Sequence, residues 1–169
     1  MKSTALTILI ILLSPTAALS ESYLDRFCSQ RGEADRFGQE EIDILKDDLK
    51  NRDPNLRATA MDTLSCLGKR ALPAIPEMVL LFDEPNGEAQ LNNIAAVAHL
   101  KEWAVPDLVA ALENRNTNIR RGACIALGKI GAPARSALPS LRKLLDEPGF
   151  DVSLAAERAL RQIKSSPKK

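Results

Sequence analysis

Aromatic side chains are scarce in this sequence, at 4% of 169 residues, although apolar residues make up an ordinary 45%. Leucine and alanine therefore supply most of the apolar surface, which favours closely packed helices over a β-sandwich or barrel. The chain has one histidine, and its three cysteines form no CxxC motif, so a four-ligand zinc site is not indicated. We expect a protein without catalytic residues, metal or cofactor.

Long hydrophobic runs are missing apart from one near the N-terminus. A run of eight residues, 6–13, which is apolar apart from Thr7, follows Lys2 and precedes a small-residue stretch in which Ala18 and Ser20 fit a cleavage site. This layout predicts a secretory signal peptide over residues 1–20, and the run is too short to span a membrane. We expect a secreted or periplasmic protein with no stable membrane insertion after cleavage, and an uncleaved anchor is the alternative.

Neither sign of charge dominates the chain. Without residues 1–20, 22 basic and 22 acidic residues remain, which argues against a nucleic-acid-binding or general membrane-binding protein. Charge is nevertheless uneven, because residues 21–50 carry nine acidic and five basic side chains whereas 112–143 carry one acidic and seven basic. Solvated helix faces explain most such runs. Here we expect the N-terminal end of the folded chain to carry a net negative charge and the C-terminal part a net positive charge.

Internal repetition is the main pattern of the remaining chain. Leu72, Val105 and Leu138 are evenly spaced and each precedes a proline, and the pattern of residues 57–68 recurs at 120–131. A helix tolerates proline in its first turn, and glycine often follows the last residue of a helix. The pattern predicts four helical pairs, with first helices at about 39–50, 72–82, 105–113 and 137–146 and second helices at about 55–67, 88–100, 117–130 and 151–165.

The repeats also set the domain boundaries. A pair of helices cannot bury its apolar faces alone, so neighbouring pairs stack and share one core. We predict an all-α fold, a short right-handed α-solenoid of about four pairs over residues 39–165, followed by a basic tail at 166–169. Residues 21–38 place Tyr23, Leu24, Phe27 and Cys28 on one face of a short helix, and we interpret them as an N-terminal cap over the first pair.

The Asp-Pro-Asn-Leu-Arg motif at 53–57, with the small and apolar residues that follow it and the matching set at 118–131, resembles the HEAT-repeat family. The resemblance is to the short HEAT-like repeats of phycobilisome lyases and covers about 39–163. It implies a hydrogen-bonded ladder between repeats in which Asp53, Arg57 and Arg120 take part. Gln90 and Ser153 stand at the arginine position of the other two pairs, so the implied ladder is incomplete.

The resemblance does not extend to two classes of enzyme that have a similar architecture. The di-iron hydroxylases use several His–Glu pairs, which this chain lacks, and the DNA glycosylases need a basic groove. Bilin lyases work as heterodimers, so an accessory subunit of that type is an open alternative, although a secretory signal fits poorly with pigment attachment in the cytosol.

Cysteine and histidine positions allow two further hypotheses. Three cysteines form at most one internal disulfide, and in an exported protein Cys28–Cys66 is favoured because Cys66 lies under the proposed cap. Three free thiols are the alternative. His99 takes the position in the second pair that Cys66 takes in the first, so the two should be neighbours on adjacent repeats, more simply as a packed pair than as an activated thiol. Trp103 is expected to plug a turn between repeats or to anchor an interface.

The second helices should line the concave face of the solenoid. Successive residues turn by about 100°, so the side opposite the buried stripe of 55–67 holds Ala58, Asp62, Ser65 and Lys69, and the same positions in the third pair include Gly128. We predict that this face binds a protein partner, one with an acidic segment, against solubilising arginines as the alternative. A structural protein that docks through its charged ends is the third class. The predicted partner-binding residues are Arg121, Ile125, Leu154, Arg158 and Arg161.

Overall fold

The computed structural model describes residues 28, 38–147 and 149–167. The predicted signal peptide at 1–20 and, apart from Cys28 and Gly38, the predicted cap at 21–38 lie outside these residues. The described residues fold into helices and turns and include no strand. The predicted all-α solenoid is confirmed.

Eight α-helices alternate between an outer and an inner layer and form four pairs within the described residues. Each outer helix is followed by its inner partner, and each inner helix contacts the inner helix of the next pair. The outer helices are α1 (Gln39–Asp48), α3 (Ile75–Leu80), α5 (Val105–Ala111) and α7 (Leu138–Lys143), and the inner helices are α2 (Pro54–Ser65), α4 (Gly87–His99), α6 (Thr117–Ile130) and α8 (Phe150–Ser165).

Side-chain caps start three of the inner helices. The Asp53 carboxylate accepts a hydrogen bond from the Asn55 N–H at 2.9 Å, and Asn86 and Asn116 do the same for the first turns of α4 and α6. These caps satisfy N–H groups that have no partner inside the helix. The helix α8 begins after Gly149 without such a bond.

The outer helices are shorter than the sequence pattern predicts, most clearly in the second pair. Pro73 lies inside a 3-10 turn, Gly68–Ala74, and α3 begins only at Ile75, with Pro76 in its first turn. Because proline has no N–H, Pro76 cannot donate the hydrogen bond that would continue an α-helix from residue 72. Pro106 and Pro139 do occupy the first turns of α5 and α7, as predicted.

The core runs between the two layers along the whole stack. One register position, occupied by Leu64, Val97, Leu127 and Leu160, is at most 6% exposed in every pair. Small residues bring neighbouring inner helices together: an ideal Cβ on Gly128 would lie 3.1 Å from the Ala159 backbone. The contact of α6 with α8 is accordingly the most extensive between any two described helices. The stack therefore presents a continuous row of inner helices.

Candidate functional site on the inner-helix face

The four inner helices share one register, so equivalent side chains form rows across them. We define the inner face as the side chains of these helices that point away from the outer layer, at the two central positions of each helix and at Lys129. Its members are Ala58, Asp62, Leu91, Ala95, Arg121, Ile125, Lys129, Leu154 and Arg158.

Apolar side chains form the middle of the inner face. Leu91 is 54% exposed, while Ile125 and Leu154 are half-buried. Ile125 also packs against the core, and this contact holds its side chain in place. The sequence reasoning named Ile125 and Leu154 but missed Leu91, which the register predicts because it takes the place of Ala58 one repeat later. Arginine beside apolar surface is a composition found at protein interfaces.

Arg121 is held in place by the neighbouring helix. Its Nη2 donates a hydrogen bond to Oε1 of Gln90, and Nε2 of the buried Gln90 donates to the Phe82 carbonyl oxygen at 2.5 Å. This contact engages one nitrogen of a guanidinium that has five N–H donors. Arg121 is therefore half-buried and oriented, and Arg158 on the next inner helix is exposed.

Four residues expected on this face lie elsewhere, and one of them, Lys69, belongs to the 3-10 turn Gly68–Ala74 that follows the first inner helix. Ser65 is 2% exposed and donates a hydrogen bond to the Asp62 carbonyl oxygen at 2.8 Å. Gly128 is buried against α8, because the close approach of α6 and α8 covers that side of the helix. Arg161 is the counterpart of Gly128 one repeat later, so it lies toward the open end of the stack, where it pairs with Glu157 at 3.6 Å.

Charge changes sign along the inner face. Among its members, the acidic Asp62 lies on the first inner helix, Leu91 and Ala95 on the second are uncharged, and the basic Arg121, Lys129 and Arg158 lie on the last two. The C-terminal half therefore combines positive charge with the apolar residues Ile125 and Leu154.

The ladder between repeats exists but uses a different acid from the one expected. Asp53 caps its own helix, whereas Arg57 Nη2 pairs with Glu84 at 3.0 Å and its Nη1 donates to the carbonyl oxygens of Asn51 and Arg52. The whole set recurs two repeats later, where Arg120 pairs with Glu147 and donates to the carbonyl oxygens of residues 114 and 115. The predicted role of Asp53 was wrong, because its carboxylate satisfies the N-terminus of α2.

The cysteines and the histidine take structural positions. Cys28 and Cys66 form a disulfide with a Cα–Cα distance of 5.1 Å, so Cys66 has no thiol for His99 to activate. The Nδ1 atom of His99 lies 3.1 Å from the Ser65 carbonyl oxygen. Cys124 is fully buried, and burial raises the pKa of its thiol to about 12. A thiol in this state is unreactive at neutral pH.

Trp103 lies in the 3-10 turn Lys101–Ala104 and is 37% exposed. The ammonium group of Lys69 lies 5.8 Å from the centroid of its ring, within the range of a cation–π interaction. Lys69 and Trp103 belong to successive turns that pack against each other. Its ring lies between two turns and is also open to solvent, so the plug and the interface anchor both stay predictions.

The described part of the chain holds neither a membrane-spanning helix nor a metal-binding cluster. None of its helices has both the length and the apolar composition needed to cross a membrane. No group of three or more histidine, cysteine, aspartate or glutamate side chains among residues 28, 38–147 and 149–167 is placed to hold a metal ion.

Comparison with known proteins agrees with this architecture. A sequence profile for HEAT repeats matches residues 75–161, which is more than half of the chain. The protein belongs to the HEAT-repeat family. A relative from Pseudanabaena tenuis, an uncharacterized phycocyanin operon protein Z, is 28% identical over 132 residues. The match covers 73% of this chain and 64% of that relative, so the chain spans less than two thirds of its length.

Several of the solved structures similar to this chain are engineered proteins. One engineered protein has a TM-score of 0.46 at 20% identity and covers 90% of this chain and 77% of its own. A designed armadillo repeat protein in complex with the peptide (KR)4 has a TM-score of 0.46 at 16% identity, covering 86% and 70%.

Proposed function

We propose that this HEAT-repeat protein is a non-catalytic scaffold that binds an extended segment of a protein partner on its inner face. The proposal rests on the composition of that face, where apolar side chains alternate with basic ones in the last two pairs. Leu91 is a large apolar side chain of this face, and 54% of it is exposed to solvent. A partner segment that covers Leu91 and Ile125 would bury apolar surface and gain free energy.

The chemistry of the partner follows from the charges. Arg121 is oriented by Gln90, so little side-chain freedom would be lost when its guanidinium pairs with a carboxylate. Arg158 supplies a second positive charge one helix further on. We therefore propose that the bound segment carries glutamate or aspartate residues between apolar ones.

The test uses a synthetic peptide that alternates glutamate and leucine, with a lysine–leucine peptide as the charge-reversed control. We expect the acidic peptide to bind the parent protein at low salt and to weaken as salt rises, because salt screens the charge pairs. The combined change Arg121→Glu and Arg158→Glu should weaken binding by about tenfold or more. Leu91→Ala should weaken it without lowering the melting temperature, because Leu91 is outside the core.

The matched control is Arg115→Glu combined with Lys143→Glu. Both side chains are exposed and lie off the inner face, so this variant has the same net charge as the test variant. Equal peptide affinity for the two double variants, with unchanged helical content, would move the binding site away from the inner face.

A second candidate function comes from the Pseudanabaena relative, whose name refers to a phycocyanin operon. We propose as the alternative an accessory subunit that holds a phycocyanin-related protein, similar to the partner subunit of a bilin lyase. Purified phycocyanin subunits are the probe. If the parent protein binds these subunits and the Arg121→Glu, Arg158→Glu variant does not, the alternative is supported. If the parent protein does not bind them, the alternative is wrong and the general scaffold function stands.

Export separates the two candidates. We propose that the protein is secreted or periplasmic, on the basis of the signal-like residues 1–20 and the Cys28–Cys66 disulfide, which suits an oxidising compartment. Cell fractionation with N-terminal sequencing is the measurement. A protein that keeps residues 1–20 in the cytosol would contradict export and favour the accessory subunit.

A further inference from the structure

We propose that this protein contacts an anionic lipid bilayer through one of its long edges, where turns join each inner helix to the next outer helix. This surface, the turn edge, consists of the last turn of α8 and the three turns Gly68–Ala74, Lys101–Ala104 and Ala132–Ala137. The three turns pack against one another in a row. The turn edge is separate from the inner face, so this inference does not depend on the function proposed above.

Charge differs between the two long edges of the stack. Within the described residues, the turn edge has one acidic side chain, Glu102, and five basic ones, which are Lys69, Arg70, Lys101, Arg135 and Lys164. The opposite edge has six acidic and three basic side chains in the loops at 50–53, 83–86, 113–116 and 146–147. The nearly neutral total charge is therefore the sum of a positive edge and a negative edge. An anionic surface attracts the first and repels the second, and so orients the molecule.

The turn edge also exposes apolar side chains. Trp103 and Leu72, in neighbouring turns, are 37% and 36% exposed. The Lys69 ammonium group lies 5.8 Å from the centroid of the Trp103 ring, so a cation and an apolar ring lie side by side. The other two turns have Pro73 and Ser136 at this position, two residues before the outer helix begins, so the repeat itself does not require a tryptophan. Tryptophan is favoured at membrane interfaces, because its ring is apolar and its N–H is polar.

The backbone of Lys101 gives an independent reason to assign a role to this edge. Its φ is 53°, whereas the neighbouring inner helices are followed at this position by glycines, Gly68 and Gly131. Basic residues near the C-terminal end of a helix compensate its dipole, but that effect does not require a lysine in a strained conformation. Strain of this kind persists where a side chain has a function. Lys101 is exposed and lies two residues from Trp103.

A bilayer fits the turn edge better than a single acidic protein segment does. The basic side chains are spread over three turns and a helix end, and an anionic bilayer offers negative charge over its whole surface. Lysine acts as a point charge that pairs with phosphate without a fixed geometry. Lysines beside exposed apolar side chains are the combination found in elements that lie on membrane surfaces. The contact is peripheral, because its apolar part consists of Leu72 and Trp103 at the level of the headgroups.

The test uses vesicles of phosphatidylglycerol with phosphatidylcholine, pure phosphatidylcholine vesicles for comparison, and the full chain with its disulfide intact. Trp103 is the only tryptophan of the chain, so its fluorescence reports on the turn edge directly. We expect anionic vesicles at low salt to shift its emission to shorter wavelength and brominated lipids to quench it. Rising salt should reverse both effects, because it screens the charges. Unchanged emission with anionic vesicles at low salt would overturn the proposal.

Lys101→Gly separates binding from folding, because glycine relieves the backbone strain and the variant should be at least as stable as the parent. We expect it to weaken binding to anionic vesicles by about fivefold, the contribution of one lysine near such a surface. Lys101→Glu should weaken binding by about tenfold or more. Trp103→Ala, measured by sedimentation with the vesicles, should weaken binding at every salt concentration, because salt does not screen an apolar contact.

The matched control is Arg115→Glu, which changes the net charge as Lys101→Glu does but lies on the opposite edge. It should bind vesicles like the parent. Equal weakening by Arg115→Glu and Lys101→Glu, or a Trp103 signal as strong with neutral vesicles as with anionic ones, would overturn the proposal. Lys101→Gly should leave peptide binding by the inner face unchanged, so neither result would bear on the function proposed above.

Discussion

One backbone dihedral angle decides where each of the first three inner helices ends. Gly68 and Gly131 have φ angles of 53° and 71°, in the left-handed region that glycine adopts without cost. The residue at the same register position after α4 is Lys101, which also has a φ of 53°. A lysine side chain is strained there because its Cβ approaches the following carbonyl oxygen. The second pair therefore keeps the turn geometry of its neighbours at a cost in stability.

Replacing lysine by glycine at this position should stabilise the protein, and replacing glycine by alanine should destabilise it. We expect Lys101→Gly to raise the free energy of unfolding by about 1 kcal/mol, because glycine relieves the strain. Gly68→Ala should lower it by about the same amount, and since no atom lies within 4 Å of the added Cβ, the loss is one of backbone conformation. Urea denaturation measures both. A Lys101→Gly protein less stable than the parent would contradict the assignment.

The sequence predicts these turns only where glycine is present. Gly68 and Gly131 follow the helical pattern directly, and both were expected to end their helices. Lys101 gives no such signal, because the structure of its neighbours imposes the turn on an unfavourable residue. The same limit applies to Ser65 and Gly128, whose burial depends on how closely adjacent helices approach and not on the helical period.

At the scale of the helices, Arg57 and Arg120 connect two of the inner helices, α2 and α6, to the loop before each helix and to the following pair. The side chains of Arg120 and Glu147 are 16% and 18% exposed, so water screens this pair only partly. Arg120 also satisfies two loop carbonyl oxygens. The exposed pair of Arg161 with Glu157, at 66% and 54%, provides the contrast, since such pairs contribute little.

Removing the two arginines should therefore have unequal effects. We expect Arg120→Ala to lower the free energy of unfolding by about 2 kcal/mol, because Glu147 and the loop carbonyl groups lose their partner. Arg161→Ala should change it by less than about 0.5 kcal/mol. Denaturant titration of the two variants gives the comparison. Equal stabilities would mean that Arg120 does not join the repeats.

The sequence indicated which arginines join the repeats but not their partner. Arg57 and Arg120 stand in the repeated motif, and the nearby Asp53 is the acid that the family resemblance suggests. The true partners, Glu84 and Glu147, lie 27 residues further on. A signal for them was present, because they stand two repeats apart, at the same spacing as the two arginines. Its meaning depends on the path of the loop, which the helical period does not determine.

At the scale of the whole molecule, the disulfide ties Cys28 to the first inner helix across 38 residues of sequence. Closing a loop of this length restricts the unfolded chain, which favours the folded state. Cys124 lies two pairs away and is buried. The three cysteines therefore differ in chemical state, although the sequence alone could not distinguish them beyond favouring this pairing.

Thiol counting and reduction test this arrangement together. The unreduced, denatured protein should show one free thiol, that of Cys124, and the native protein none that reacts, because burial raises the pKa of Cys124 to about 12. In a Cys124→Ala background, reduction should lower the free energy of unfolding by roughly 3–4 kcal/mol. Three thiols before reduction would exclude the disulfide.

The nearest-neighbour packing of the helices also shapes how the chain reaches its fold. Each inner helix contacts the next inner helix along the chain, so ordering can begin in one pair and propagate to the adjacent ones. Because α6 and α8 make the most extensive contact between described helices, we expect folding to start in the C-terminal half. During synthesis that half leaves the ribosome last, so the first two pairs would wait, incompletely ordered, for the segment that templates them.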